Sequence, residues 1–230
     1  MELSETTLQV LKNFSTINPN LMFHTGNEVK TISEANNVLA KAELPDEFPQ
    51  DFGVYDLNEF LGVLNLVDHP TLSFSEDHTL ISDGSGRSKV KYFYSDEGNL
   101  TTPSKELIMP EPEVKFVLDL ATLNKLRKAS STLGHNELCI TNGEGTLIFT
   151  IRDTDNPTSN NYQILVDGEF DKNAEFNFIV NISDLKILDG DYKVGISSRR
   201  IAQFDNTTYK GLSYWIAFNR ISTYGVKKDG

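Results

Sequence analysis

The sequence predicts an α+β fold of two similar domains, each an antiparallel sheet carrying two helices. Three observations predict it. Four short amphipathic segments recur in a helix, strands, helix, strands order that runs twice: Ser4 to Ile17, Asp56 to Val67, Asp119 to Leu133 and Asn181 to Leu188. The segments also match in pairs. Val54-Tyr55-Asp56-Leu57-Asn58-Glu59-Phe60 has the polar and apolar order of Ile179-Val180-Asn181-Ile182-Ser183-Asp184-Leu185, and Thr7-Leu8-Gln9-Val10-Leu11-Lys12 aligns with Thr122-Leu123-Asn124-Lys125-Leu126-Arg127. Finally, 230 residues suffice for two domains of roughly 110, each able to bury its own core. Internal duplication of this kind signals a repeated structural unit.

Ser4 is placed to cap the first helix, with Leu8, Leu11 and Phe14 at helical spacing until Asn18-Pro19 ends it. Strands are predicted at Leu21 to Thr25 and Glu28 to Ile32 around Gly26-Asn27, at Asn37 to Glu43, and at Asp51 to Tyr55. In the second helix Leu57, Phe60, Leu61 and Leu64 form one apolar stripe. Thr71 to Ser75, Thr79 to Ser82 and Ser88 to Tyr94 complete the first strand set. From Ser95 to Pro112, Gly98, Pro103, Pro110 and Pro112 interrupt any periodic face, which marks an interdomain connector. The predicted domains are therefore 1–110, including most of the connector at about 95–112, and 111–230.

The second domain opens with a strand at Glu113 to Leu118. Asp119 caps the third helix and Gly134 stops it. Asn142-Gly143 is the clearest hairpin signal, joining Glu137 to Thr141 with Gly145 to Ile151. Tyr162 to Val166, Phe176 to Val180, Lys193 to Ser197, Ile201 to Phe204 and Leu212 to Phe218 follow as strands, with the fourth helix at Asn181 to Leu188.

Composition excludes several classes. A formal net charge of -12 with 38% hydrophobic residues fits a folded globular chain. No apolar run approaches the roughly 20 residues that span a bilayer, and Met1-Glu2-Leu3-Ser4-Glu5 lacks the basic and apolar regions of a signal peptide, so no membrane role is expected. Cys139 is the single cysteine and sits in Leu138-Cys139-Ile140, as a small buried hydrophobe would.

No catalytic constellation stands out. Gly84-Ser85-Gly86 lacks the third glycine opening a helix and leads instead into the strand at Arg87-Ser88-Lys89-Val90, so it is a turn and not a phosphate loop. His24, His69, His78 and His135 are scattered without the spacing of a zinc site, and no Gly-x-Ser-x-Gly elbow accompanies the available Ser, His and Asp. The sequence thus predicts no enzyme, no metal and no cofactor. Asn13-Phe14-Ser15, Asn99-Leu100-Thr101 and Asn206-Thr207-Thr208 match the glycosylation pattern by chance, absent a secretory signal.

An excess of acid argues against a general nucleic-acid binder, yet net charge hides distribution. On the third helix, a turn of about 100 degrees per residue puts Lys125 and Lys128 opposite the stripe of Leu120, Leu123 and Leu126, with Arg127 nearer the flank. On the first, Glu5, Gln9 and Lys12 point away from Leu8, Leu11 and Phe14. For one helix this is an ordinary solvated face; repetition on two duplicated helices favours a shared basic surface. Arg199-Arg200 reads as an exposed turn. Tyr92-Phe93-Tyr94 breaks strict alternation and leaves at least one aromatic outward, which fits an edge strand awaiting a partner and equally a ring covered by a packed loop.

Three blocks carry a resemblance: Leu11-Lys12-Asn13-Phe14-Ser15-Thr16-Ile17-Asn18, Val54 to Leu64 (VYDLNEFLGVL) and Phe176-Asn177-Phe178-Ile179-Val180-Asn181. With them the chain resembles, collinearly over nearly its whole length, the sliding clamps of T-even-type bacteriophages, the DNA polymerase processivity factors. The final Thr223 to Gly230 departs from the family's ending. The resemblance implies the DNA clamp fold and a ring-shaped homotrimer, with helices lining the hole and sheets outside. It further implies duplex DNA as partner, a DNA polymerase held through a short apolar peptide, an ATP-driven clamp loader, a role in late transcription and a place in the cytoplasm of the infected bacterial host.

Packing geometry is compatible with that ring. Twelve helices at about 10 Å spacing leave a hole of about 28 Å, whereas eight leave about 16 Å, too narrow for a duplex. In such a ring Lys12, Lys125, Lys128, Arg127 and Lys186 would supply a positive lumen inside an acidic exterior, although Glu5 and Glu59 project there too. The resemblance places the subunit interface between a strand at Arg87, Val90, Tyr92 and Tyr94 and a neighbour's strand at Tyr162 and Ile164. Leu107, Ile108 and Met109 in the connector and Trp215 on a late strand would frame the partner-peptide groove, though Trp215 alone also suits a core. The rival reading is a phage structural or interaction module that forms no ring and binds no DNA.

Overall fold

The computed structural model describes residues 1–104 and 106–227, and the chain folds as two compact units, Met1–Glu106 and Leu107–Gly230. In the first, α1 (Glu5–Ile17) precedes β1 (Leu21–Phe23), β2 (Gly26–Ile32), β3 (Val38–Phe48) and β4 (Phe52–Val54), followed by α2 (Leu57–Leu64), β5 (Thr71–Phe74), β6 (His78–Ser82) and β7 (Lys89–Phe93). The four strands before α2 lie in the order β3-β2-β1-β4 and the three after it in the order β5-β6-β7, all neighbours antiparallel.

The second unit repeats this plan. It comprises β8 (Val114–Leu118), α3 (Leu120–Leu133), β9 (Glu137–Asn142), β10 (Leu147–Arg152), β11 (Tyr162–Val166), β12 (Gly168–Glu169), β13 (Ala174–Asn181), β14 (Tyr192–Ser197), β15 (Ile201–Asn206), β16 (Ser213–Ala217) and β17 (Thr223–Val226). The order β11-β10-β9-β13 mirrors β3-β2-β1-β4, and β14-β15-β16 mirrors β5-β6-β7. β17 adds itself to β13, and β8 with β12 extends the β14 edge.

Local chemistry explains the helix ends. Ser4 caps α1 by accepting from the Thr7 amide, and Asp119 does the same for α3 through Thr122, at 2.6 Å. Asp56 caps α2 by accepting from the Asn58 and Glu59 amides. Gly134 ends α3 with φ 70°, a left-handed conformation that a side chain disfavours, and its N–H donates to the Ser130 carbonyl at 2.9 Å. Both helices bury the equivalent pairs Thr7 with Leu11 and Thr122 with Leu126. The stripes are turned slightly from the predicted ones: α1 buries Thr7, Val10, Leu11, Phe14 and Ile17 with Leu8 half-buried, and α3 leaves Leu120 half-exposed.

Aromatic packing dominates the first core. Phe23 stacks on Phe52 at 4.5 Å and tilts against Phe48 and Phe60. In the second, Phe149 meets Phe116 edge-on at 5.2 Å, while Phe178 packs on Phe176 and Phe218. Cys139 is buried, as expected, and burial pushes its thiol pKa up.

The largest departure from the predicted elements is the fourth helix. Asn181 to Leu188 forms only a 3-10 turn at Ile182–Asp184, after which Leu185 leaves the helical region at φ -76°, ψ 54°. Its backbone groups are satisfied elsewhere. The Ile182 and Ser183 amides donate to Asn136, Arg127 donates to the carbonyls of Leu185 and Ile187, the Leu188 amide donates to the Tyr214 hydroxyl, and the Tyr192 hydroxyl donates to the Leu188 carbonyl. A segment whose polar groups are taken by fixed partners gains nothing from helical bonds.

Other differences are smaller. β3 runs past Pro45 to Phe48, because a register shift between Gly26 and Glu28 absorbs the irregularity. The hairpin after Asn142 forms with its positive φ at Gly145 (81°), the Gly143 amide donating to Thr146. β17 lies in the tail that departs from the resembled family's ending; Lys228, Asp229 and Gly230 of that tail lie outside the described residues.

Candidate nucleic-acid interface

Helix α3 presents the basic surface. With Thr122, Leu123 and Leu126 turned into the second unit, Lys125 and Lys128 fall on the solvent side and are exposed. On α1, Lys12 is exposed alongside Glu5 and Gln9, opposite buried Val10, Leu11 and Phe14. Glu59 on α2 is exposed as well, so the helical faces carry both signs. Lys186 is exposed between buried Leu185 and Ile187.

Arg127 behaves differently. Its Nη1 donates to Asp189 Oδ1 at 2.7 Å and its Nη2 to the carbonyls of Leu185 and Ile187, each at 3.1 Å. The guanidinium is thereby committed to its own unit. Nothing near Arg127 in sequence announces this, since Asp189 lies 62 residues away.

The start of α1 is held by Asp46 of β3. Asp46 accepts from the Ser4 amide at 2.7 Å and from the Ser4 hydroxyl at 2.8 Å. Burial alone would raise the Asp46 carboxyl, but the hydrogen bonds from Thr7 and Ser4 outweigh it and hold its pKa below the ordinary value.

β7 and β11 each end a sheet. Among the described residues β7 pairs with β6 and β11 with β10, each on one side. Of the predicted interface residues, Val90 is half-buried, Arg87 is exposed at the turn before β7, and Tyr162 and Ile164 are half-buried on β11. Tyr92 and Tyr94 turn inward: Tyr92 packs edge-on to Phe60 at 5.1 Å, and the Tyr94 hydroxyl bonds Thr79 at 2.8 Å with its ring on Phe52. The outward aromatic is Phe93, 63% exposed, and its counterpart on β11 is Leu165, also 63% exposed. Alternation makes each strand point one side outward, but the run Tyr92-Phe93-Tyr94 does not show which side that is.

For the predicted peptide groove, Ile108 is 88% exposed, Leu107 and Met109 are half-buried, and the half-buried Trp215 donates its indole N–H to Gln203 Oε1 at 3.1 Å. A groove of about 590 Å³ in the second unit runs along β8, β12 and β14, bordered by Pro112, Lys115, Val117, Glu169, Lys193 and Gly195, and includes none of these four. Among the described residues no group of three or more His, Cys, Asp or Glu is placed to hold a metal ion, and no helix is long and apolar enough to cross a membrane.

The duplicated units, with helices packed on antiparallel sheets, define the DNA clamp fold. The structure superposes on proliferating cellular nuclear antigen from Entamoeba histolytica with a TM-score of 0.67 at 14% identity, covering 93% of this chain and 95% of that one. It matches the PCNA2-PCNA3 complex from Sulfolobus tokodaii equally, with a TM-score of 0.67 at 12% identity over 95% and 98% of the two chains. Residues 4–96 match the family described as DNA polymerase processivity factor, and residues 115–219 the family described as gp45 sliding clamp, C terminal. The sliding clamp of Vibrio phage KVP40 is 34% identical over 94% of this chain and 98% of its own length; that of Escherichia phage RB69 is 30% identical over 97% and 99%, and that of Enterobacteria phage T4 32% over 84% and 86%. The chain belongs to the phage sliding clamps. Its function is that of a clamp tethering the polymerase to DNA, and the reading as a non-ring module is not favoured.

Proposed function

We propose that three copies of this chain close head to tail into a ring around duplex DNA, with β7 of each subunit added to β11 of the next. The observation that supports this is that β7 and β11, edge strands of different units, carry Phe93 and Leu165 outward at the same 63% exposure. Two different patches on one chain make a heterologous contact, which yields a closed ring when the rotation between subunits divides a full turn. The three α-helices among the described residues of each chain, with its Ile182–Asp184 turn, then take the twelve places around a hole wide enough for a duplex. The connector at about 95–112 joins the two clamp domains.

Lys12, Lys125, Lys128 and Lys186 face the DNA, and their contacts go to phosphates. Moving by one base pair exchanges equivalent contacts, so the ring slides without reading sequence. The acidic remainder of the surface disfavours DNA outside the hole. Ile108, flanked by Leu107 and Met109, with Trp215 receives an apolar polymerase peptide. An ATP-driven loader opens the ring, late-transcription factors use the same clamp, and all of this takes place in the infected bacterial host. No part of this function requires catalysis or a cofactor.

The test is Lys125→Glu with Lys128→Glu. Loader-dependent polymerase processivity should fall while the mass in solution stays that of three chains. Unchanged processivity removes α3 from the DNA-facing surface, and a wild-type mass of one chain at micromolar concentration overturns the ring.

A further inference from the structure

Arg127 lies two residues after Lys125 and one before Lys128, but it is spent on its own chain. Its planar fork spans three acceptors, Asp189 Oδ1 and the carbonyls of Leu185 and Ile187. Carbonyls of residues i and i+2 meeting one donor group describe a non-helical stretch, because in a helix they would diverge around the axis. Leu185 and Ile187 are each 3% exposed, and Lys186 between them is consequently turned outward. At the aligned place in the first unit α2 forms a full helix, so the second unit has exchanged a helix for this clasped strap.

We propose that Arg127 is a positioning residue for DNA binding: it holds Leu185 to Asp189 in this non-helical form and so presents Lys186 to the phosphate backbone, without touching DNA itself. This rests on the reading of α3 as DNA-facing. Lysine cannot substitute, since a single ammonium does not reproduce a flat fork that bonds a carboxylate and two carbonyls at once.

The experiment measures association of the full-length protein with a fluorescently labelled linear duplex as salt rises from about 50 to 200 mM. Each lost phosphate contact lowers the slope of log K against log salt by about 0.9, so affinity falls about 3.5-fold less across that range. Lys186→Gln and Arg127→Lys should each give that change, and the double variant no more than either alone. Asp189→Ala separates geometry from charge: removing an acid near DNA would tighten binding on charge alone, whereas loosening the strap should weaken it. Amide hydrogen exchange over residues 185–189 should quicken in Arg127→Lys and Asp189→Ala but not in Lys186→Gln, and Asp189→Ala carries the test if Arg127→Lys does not fold.

Additive slopes in the double variant, an unaffected slope in Arg127→Lys or Lys186→Gln, or tighter binding by Asp189→Ala would overturn the proposal. Lys125→Gln with Lys128→Gln tells the two layers apart. If that pair lowers the slope while Arg127→Lys does not, positioning alone fails; if the pair has no effect, the DNA-facing reading fails with it.

Discussion

The hydroxyl of Tyr92 donates to the backbone carbonyl of Asp56 at 3.1 Å, tying the edge strand β7 to the residue that caps α2. Burial pushes the Tyr92 pKa up to about 12, with the nearby Glu59 charge adding to it. The folded state therefore favours the protonated phenol. That stability is fully present below the ordinary tyrosine pKa of about 10 and is lost as pH rises from there towards about 12. Tyr92→Phe keeps the ring against Phe60 and leaves the Asp56 carbonyl its bond from the Phe60 amide. It should cost about 0.5 to 1 kcal/mol at neutral pH and lessen the loss of stability above pH 10, both read by urea unfolding. A cost that stays constant from neutral to high pH would show that the phenol is not held neutral.

The outward residues beside it address assembly. Phe93→Glu and Leu165→Glu each place a charge on an edge strand, where it must be desolvated if another strand is to pair. Because both residues are 63% exposed in the single chain, each variant should fold, with a Tm within a few degrees of wild type, and yet sediment as one chain. Trimers surviving either substitution would place the subunit contact elsewhere.

What the residues announced and what they concealed divides by distance along the chain. Ser4, Asp119 and Gly134 act on atoms within four residues of themselves, so their caps were legible, and the exposed positions of Lys12, Lys125 and Lys128 follow from helical periodicity on the same scale. The failure of the fourth helix was not legible. Its competitors for backbone groups are Arg127 and Tyr214, 58 and 26 residues from the carbonyl and amide they bind, and only the fold brings them together. The same fact withdrew Arg127 from the basic face. Tyr92 and Tyr94 were expected at the subunit edge, but strand alternation carries them inward with Phe52 and Phe60 and leaves Phe93 outside; three consecutive aromatics do not reveal which parity is buried.

Acid should act on a different corner. Asp51 Oδ2 meets His24 Nδ1 at 2.9 Å, while its Oδ1 accepts from the amide and hydroxyl of Thr25. The bond with His24, followed by those from Thr25, lowers the Asp51 pKa to about 2. A depressed carboxyl contributes stability above its unfolded pKa of about 4, and this is lost as pH falls towards about 2. Asp51→Asn keeps an acceptor and removes the titration, so the urea midpoint should fall less between pH 4 and 2 than in wild type. Parallel curves would exclude Asp51 as a source of the acid limb.

Trp215 is the single tryptophan, so its fluorescence reports on one place. Its indole N–H is fixed to Gln203 and its ring is half-buried on β16, while the 88% exposed Ile108 is the most solvated large apolar side chain in the connector. An apolar peptide covering Trp215 would remove water from the ring and shift its emission to shorter wavelength. Titration with the polymerase should produce that shift, and Ile108→Ser should weaken binding about tenfold or less, the range expected for a partly buried aliphatic anchor of about 1 kcal/mol. Because Ile108 contributes almost nothing to the core, Ile108→Ser should leave Tm and assembly mass unchanged, so lost polymerase binding would report the surface alone. An unshifted emission together with full affinity in Ile108→Ser would remove both residues from the polymerase contact and direct the search to the groove bordered by Val117 and Lys193.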